Sequence, residues 1–326
     1  MELSLVTSNQ EIISPKDQKN YQLLITDYSN MFNIIGKRKF YFIFSGALTL
    51  IGIILFFIFG INWGIDFKGG TLWELKFPSG VDNTAIREFW PTLNLGDVSV
   101  RESEGNKMLQ FRSLEQGEYD IALASLKQKF GNVEEISYET IGPTIGEEIK
   151  GKAYLTIILS SIAIILYIAW AFRKVSRPVS SWRFGIVAIV ALVHDLLVML
   201  TVFVILGKFL GVAIDSFFIT AMLTVLGYSV NDTIVIFDRI RERLKLKAEE
   251  PFEILVNKSV NKTMTRSLVT GMNAILVLFA LFLFGGASIH WFMLAMLVGI
   301  ITGTYSSIFI ASPLLVVWYN FSRKRA

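Results

Sequence analysis

The sequence predicts a polytopic α-helical membrane protein with six transmembrane helices and a small external domain of α+β structure between the first and second. Three observations carry that expectation. Six apolar stretches, at 40–60, 153–172, 184–206, 216–237, 267–284 and 292–318, approach the roughly 20 residues that a helix needs to cross a hydrocarbon core about 30 Å thick. Basic residues crowd alternate connections between them. One long polar stretch, 61–150, shows the short periodicities of a folded domain. The composition agrees, because 53% of the 326 residues are hydrophobic and only 18% are charged. Backbone amides cannot stay unpaired in lipid, so apolar runs of this length read as helices.

Residues 1–39 read as a cytoplasmic tail, largely disordered over its first 30 residues, where no apolar core of a cleavable leader is visible. Lys37, Arg38 and Lys39 stand directly before the first span. Lys and Arg are also frequent in 173–183, 238–266 and 320–326, whereas 207–215 and 285–291 hold only Lys208. By the positive-inside rule both termini are expected in the cytoplasm. Segment 61–150 is then expected on the outer side of the membrane. Residues 62–152 carry 10 Lys and Arg against 15 Asp and Glu, so the net charge of +4 belongs to membrane-proximal loops and does not point to nucleic acid. Without cysteine there is no disulfide and no thiolate metal site.

In the external segment, Thr71, Trp73, Leu75 and Phe77 alternate with Leu72, Glu74 and Lys76, the period of a half-buried strand. Pro78-Ser79-Gly80 ends it. Residues 82–93 read as a helix capped by Asp82 or Asn83. Short strands follow at 98–101 and 108–112, then a helix at 118–130 stopped by Gly131, and a last strand at 133–140. The order βαββαβ is that of a ferredoxin-like sandwich, with one sheet face on the helices and the other open to partners.

The remaining five spans follow closely in 151–326. Between the fourth and fifth, the loop 238–266 is highly charged and is expected either to lie along the membrane surface or to form a solvated face. Gly285-Gly286 marks the sharp outer turn. Gly299, Gly303, Ser307 and Ala311 place small residues on one face of the sixth span, a pattern that brings helix backbones close.

Ionisable residues inside a hydrocarbon core are costly and point to function. Asp195, preceded by His194, lies in the third span, and Asp232, preceded by Asn231, lies in the fourth. Arg266 opens the fifth, with Thr270 and Asn273 one and two turns further along the same face. Desolvation favours a neutral carboxyl and a nearby guanidinium favours a charged one, so a small rearrangement around Asp232 can load or unload a proton. Arg266 is the expected counter-charge. The competing reading is a static polar cluster that holds helices together. No metal-ligand cluster, nucleotide loop or nucleophile–base pair is visible, so neither an enzyme nor a cofactor or metal is expected.

Gly64-Ile65-Asp66-Phe67-Lys68-Gly69-Gly70 after the first span resembles the glycine-rich signature of the SecD/SecF family. Gly227-Tyr228-Ser229-Val230-Asn231-Asp232-Thr233, continuing through Asp238-Arg239-Ile240-Arg241-Glu242, is similar to that family's fourth-span signature on the SecF side. Gly303-Thr304-Tyr305-Ser306-Ser307 is similar to that of its last span. The resemblance runs from about residue 31 to 318. It implies pairing with SecD, membership of the resistance-nodulation-division superfamily, the SecYEG channel, YajC and YidC as partners, preproteins as cargo and protons as the driving species. It also matches Asp232 to an essential fourth-span aspartate, Asp195 to one in the third span, and Arg266 to a basic residue in the fifth. The run Ser267–Asn273 keeps only part of the family's hydroxyl-rich pattern. Asp66 is read as a turn residue fixing the first strand to the membrane, with Gly69 and Gly70 allowing close approach. Half of a small-molecule or lipid exporter, and a scaffold subunit that conducts no protons, are the alternatives.

Overall fold

The computed structural model describes residues 31–103, 105–171, 181–246 and 250–323. The expected tail over 1–30 lies outside them. Among the described residues six helices are long and apolar enough to span a membrane: Arg38–Phe59, Pro143–Ile168, Trp182–Phe209, Ser216–Leu246, Phe252–Phe284 and Ser288–Arg323. They are called the first to sixth spans below. The third and sixth are the most buried and form the centre of the bundle, while the first, second and fifth are peripheral.

Several helices outrun the apolar windows. The second begins at Pro143, ten residues before its apolar run; Pro at a helix start costs nothing, since the first amides have no intrahelical partner. Lys152 pairs with Glu148 one turn away and supports this polar extension. The charged segment 238–266 is not a helix lying along the membrane surface among the described residues. Its first part continues the fourth span to Leu246, and from Phe252 it is already the fifth-span helix. Glu250 and Lys258 form a buried ion pair there, at 2.7 Å.

The external domain holds four strands, β1 (Gly70–Lys76), β2 (Ser99–Ser103), β3 (Asn106–Phe111) and β4 (Glu134–Ile141), all antiparallel in the order β2-β3-β1-β4. Helices Asn83–Phe89 and Gln116–Phe130 cover one face. The order is the ferredoxin-like one. The inward residues of β1, Trp73 and Leu75, pack with Leu109, Ile86, Trp90, Ala122 and Leu126. Asp82 is the cap of the first helix, its Oδ1 accepting from the Asn83 amide at 2.7 Å. Pro91 turns the last part of the expected helix 82–93 into a separate 3-10 turn, Trp90–Leu93.

The second face of the sheet is not wholly open. Arg101 pairs in register with Met108, one residue away from the inward pair Val100 and Leu109, so it points away from the helices. Its guanidinium donates to the Gly211 carbonyl in the loop between the third and fourth spans. Burial in that contact pulls the Arg101 pKa below its ordinary value. One corner of the sheet is therefore seated on the bundle.

Candidate functional site

The glycine-rich motif forms the joint between domain and bundle. Gly64 donates to the Ile214 carbonyl and Ile214 to the Asn62 carbonyl, each at 2.7 Å, a minimal bridge between the end of the first span and the loop that joins the third and fourth. Asp66 sits in the short helix Ile65–Lys68 and its Oδ2 accepts from the Ser216 amide at 2.6 Å. Asp215 Oδ1 accepts from the Phe218 amide at 2.8 Å. Two carboxylates thus satisfy the free amides at the start of the fourth span, where the helix dipole favours negative charge. Burial pushes the Asp215 carboxyl up, and neighbouring Asp66 adds to that rise. Gly69 (φ +73°) lies against Pro143 at the head of the second span, where a β-carbon would come within 2.8 Å of the Pro143 Cα. Gly70 leaves no room beside the Phe111 carbonyl. Phe67 is fully buried beneath them.

A polar network lies inside the bundle. Asp195 is 1% exposed. Its Oδ2 accepts from Ser229 Oγ at 2.6 Å and from Ser306 Oγ at 2.8 Å, and its Oδ1 lies 3.1 Å from His194 Nδ1. One turn toward the C-terminal end of the fourth span, Thr233 Oγ1 and Ser307 Oγ are 2.8 Å apart. Ser267 Oγ donates to Asp232 Oδ1 at 2.5 Å, while Asp232 Oδ2 is buried with no partner among the described residues. The third, fourth, fifth and sixth spans all contribute. Close approach comes from glycine: a β-carbon at Gly303 would touch Ser229, and one at Gly299 would overlap Val225 and Met199. At Ser307–Ala311 the sixth span opens into a π turn, which places Ser306 toward Asp195 and Ser307 toward Thr233.

The expected residues separate into two groups. His194, Asp195, Ser229 and Asp232 turn inward. Asn231, Arg266, Thr270 and Asn273 are exposed on the outer surface of the fourth and fifth spans. The expectation that Arg266 directly faces Asp232 is not met within the single chain: at that level Ser267, the next residue, points inward, and Arg266 has no ion pair among the described residues. A step of one residue turns a helix by about 100°, so both cannot face Asp232. Gly227 is likewise outward, and Tyr228 approaches Gly271 of the fifth span. Sequence reasoning missed Ser267, Thr233, Ser306 and Ser307 as network members. Their signal is a hydroxyl within one turn of an intramembrane carboxylate or facing it from a close-packed helix.

Comparison with known proteins agrees with this anatomy. The family pattern described as "Protein export membrane protein SecD/SecF, C-terminal" matches residues 121–321, and the "SecD/SecF GG Motif" matches 54–77. A protein translocase subunit SecF from Thermobaculum terrenum is 41% identical over 306 residues, covering 89% of this chain and 95% of the relative. One from Anaerolinea thermophila is 38% identical over 294 residues, covering 88% and 94%. A crystal structure of SecDF, described as a translocon-associated membrane protein from Thermus thermophilus, superposes with a TM-score of 0.79 at 31% identity, over 89% of this chain. The chain spans 39% of the length of that solved protein. On these grounds, a matching family pattern over most of its length and near-full-length relatives well above 30% identity, the chain belongs to the family of SecF protein translocase subunits.

Proposed function

We propose that this chain is the SecF-side subunit of a SecDF-like complex in the bacterial inner membrane, with both termini cytoplasmic. In it, proton passage at Asp232 drives movement of the external domain during late preprotein export through SecYEG. It acts without enzymatic chemistry and without a bound cofactor. The observation that supports this reading is the carboxylate of Asp232, which Ser267 holds through Oδ1, with the Ser307 hydroxyl close by and Oδ2 buried without a hydrogen bond among the described residues. It lies beside an outward polar row of Asn231, Arg266, Thr270 and Asn273.

Polar side chains facing acyl tails are costly, and helices at membrane depth normally turn them toward protein or water. A second six-span subunit, a SecD partner, would cover this row and bring its own groups against Arg266. One elementary charge crossing the membrane potential is worth about 2.3 kcal/mol per 100 mV, enough to bias a two-state bundle.

A second reading, the scaffold, draws support from Asp195, whose carboxylate has a partner on both oxygens. Asp232→Asn separates the two. In membrane vesicles with an imposed proton gradient, the proton reading expects normal assembly with the partner and loss of the gradient-driven increment of export. Full activity of the variant would overturn it in favour of the scaffold.

A further inference from the structure

The first span packs on the third and sixth at separate points. The Tyr41 and Phe309 rings lie 4.7 Å apart, Ser45 Oγ is 3.0 Å from Tyr305 OH, and a β-carbon at Gly52 would overlap the Thr201 hydroxyl. Beside these contacts the three spans leave a groove of about 420 Å³. On the first span its lining runs from Phe42 to Ile53 along one helical face. A β-carbon at Gly46, on that face, would meet nothing within 4 Å. Leu50, Ile53, Val190 and Val193 are exposed along it, so the groove opens sideways within the length of the span. Its polar side chains are turned to protein: Ser45 is held by Tyr305, His194 Nδ1 by Asp195, and His194 Nε2 is buried.

Water needs two to four polar partners, and an almost wholly apolar wall does not supply them, so hydrocarbon fills the groove. From Phe42 to Ile53 the first span rises about 17 Å, which gives the groove a mean cross-section of about 25 Å². An α-helix with its side chains is about 10–12 Å across, or roughly 80–110 Å² in section, and does not fit. One extended hydrocarbon chain does. The lining faces continue to the helix ends expected in the cytoplasm. Lys39 lies three residues before Phe42 and seven before Gly46, on the same face, and makes no ion pair among the described residues. Arg183 lies seven residues before Val190; its Nε is buried without a partner among the described residues, and its guanidinium is 5.7 Å from the centre of the Trp182 ring. Trp182 packs edge-on against Trp318, four residues beyond Leu314 of the groove wall. Tryptophan and cations at the end of an apolar stripe mark the headgroup level of a bilayer.

We propose that this groove seats one acyl chain of an anionic phospholipid, whose phosphate is met by Lys39 and Arg183. The proposal does not depend on the proton reading. Lipid tails surround the bundle everywhere, so burial from water gives the groove no advantage over the bulk bilayer. The preference comes from van der Waals contact with three helices at once, which an unfilled groove would forfeit, and from the two cations at its end. A seated tail also sets how closely the first span approaches the network around Asp195. That span leads directly into the joint at Gly64–Gly70.

Photolabelling of the full chain, purified with its partner into phosphatidylcholine nanodiscs, tests the seat. The probe is a phosphatidylglycerol with a diazirine midway along one acyl chain. Label on 42–53 should exceed label around Ile158 and Leu159, exposed residues of the second span. Gly46→Leu places a side chain in the open space and should abolish that excess while leaving the second-span label unchanged. Lys39→Gln combined with Arg183→Gln leaves the groove wall intact and should lower the groove label about tenfold or more, to the level given by a phosphatidylcholine probe with the same chain. This pair keeps the test decisive if Gly46→Leu does not assemble. Equal label on the two surfaces, or a groove label indifferent to Gly46→Leu, would overturn the seat, and a label indifferent to the paired substitution would overturn the assignment of the headgroup. The chain has no cysteine, so a benzophenone maleimide can be attached to Gly46→Cys alone. Capture of lipid by it supports the proposal; capture of a partner chain or a second copy would put a helix in the groove and overturn it.

Discussion

Alanine at Gly69 should loosen the joint between the external domain and the bundle more than alanine at Gly60, Gly146 or Gly151, for two separable reasons. Gly69 has φ +73° and ψ 172°, a region essentially reserved for glycine, which costs other residues about 1–3 kcal/mol. Its β-carbon would also stand 2.8 Å from Pro143 Cα and 2.9 Å from Pro143 N, backbone atoms that cannot rotate away. Overpacking of this kind costs about a further 1–3 kcal/mol. Three other glycines isolate the contributions. Gly60 has φ +68° and ψ −170° with nothing within 4 Å, so Gly60→Ala carries the conformational cost alone. Gly146 has no positive φ but meets Gly69 N at 2.8 Å, so it carries the contact cost. Gly151 has neither and lies within a helix, where alanine should stabilise by up to about 1 kcal/mol. Hydrogen exchange of the β1 amides in the full chain reads the local opening free energy. The expected order of protection is Gly151→Ala, then Gly60→Ala and Gly146→Ala, then Gly69→Ala. If Gly69→Ala protects β1 as well as Gly60→Ala does, Pro143 is not the constraint and the account of the joint is wrong.

Other expectations follow from the same contacts. Arg112 and the helix-capping contact with the Glu115 amide hold the Glu118 carboxyl down at about 2. A carboxyl lowered on folding contributes stability above its unfolded value near 4.3 and loses it as pH falls toward 2. Exchange protection at the Gln116–Phe130 helix should therefore drop between about pH 5 and 2, and Glu118→Gln should flatten that drop. The Tyr119 hydroxyl donates to Glu135 at 2.8 Å, which raises its pKa to about 12; its stabilisation is complete below about pH 10 and is lost through about 12. Absorbance titration should show late tyrosine ionisation near pH 12, and Tyr119→Phe should reduce it by one tyrosine's worth. Trp73→Ala, at a 0% exposed core position, should destabilise the external domain by about 3–5 kcal/mol, measured by chemical unfolding.

The parts of the fold legible from sequence are those set by local pattern. Apolar windows mark the spans because lipid imposes one length on every crossing, and the alternation from Thr71 to Phe77 marks β1 because a sheet has two faces. Helix ends beyond the apolar windows were hidden by charge. Glu147, Glu148, Lys150 and Lys152 look like a linker, yet charges one turn apart favour a helix; Pro143 and Pro251 were the available start signals. The site was legible in its carboxylates and not in their partners. Which of Arg266 and Ser267 faces Asp232 depends on the rotation of the fifth span, fixed by the packing of Gly271 on Tyr228 and Thr304. Asp66 meets Ser216 across 150 residues of chain, a distance no local pattern encodes.

The fourth span is a single helix from Ser216 to Leu246, about 46 Å long at 1.5 Å per residue. It works as a strut: stiff along its length, gripped at its outer tip by Asp66 and bearing Asp232 about 24 Å further down. A strut pivoting by about 10° at that lower point would carry its tip sideways by about 4 Å, given the same rise per residue. Because the gripping motif runs straight into β1, such a swing would reach the external sheet within a few residues of chain, with no separate transmission needed.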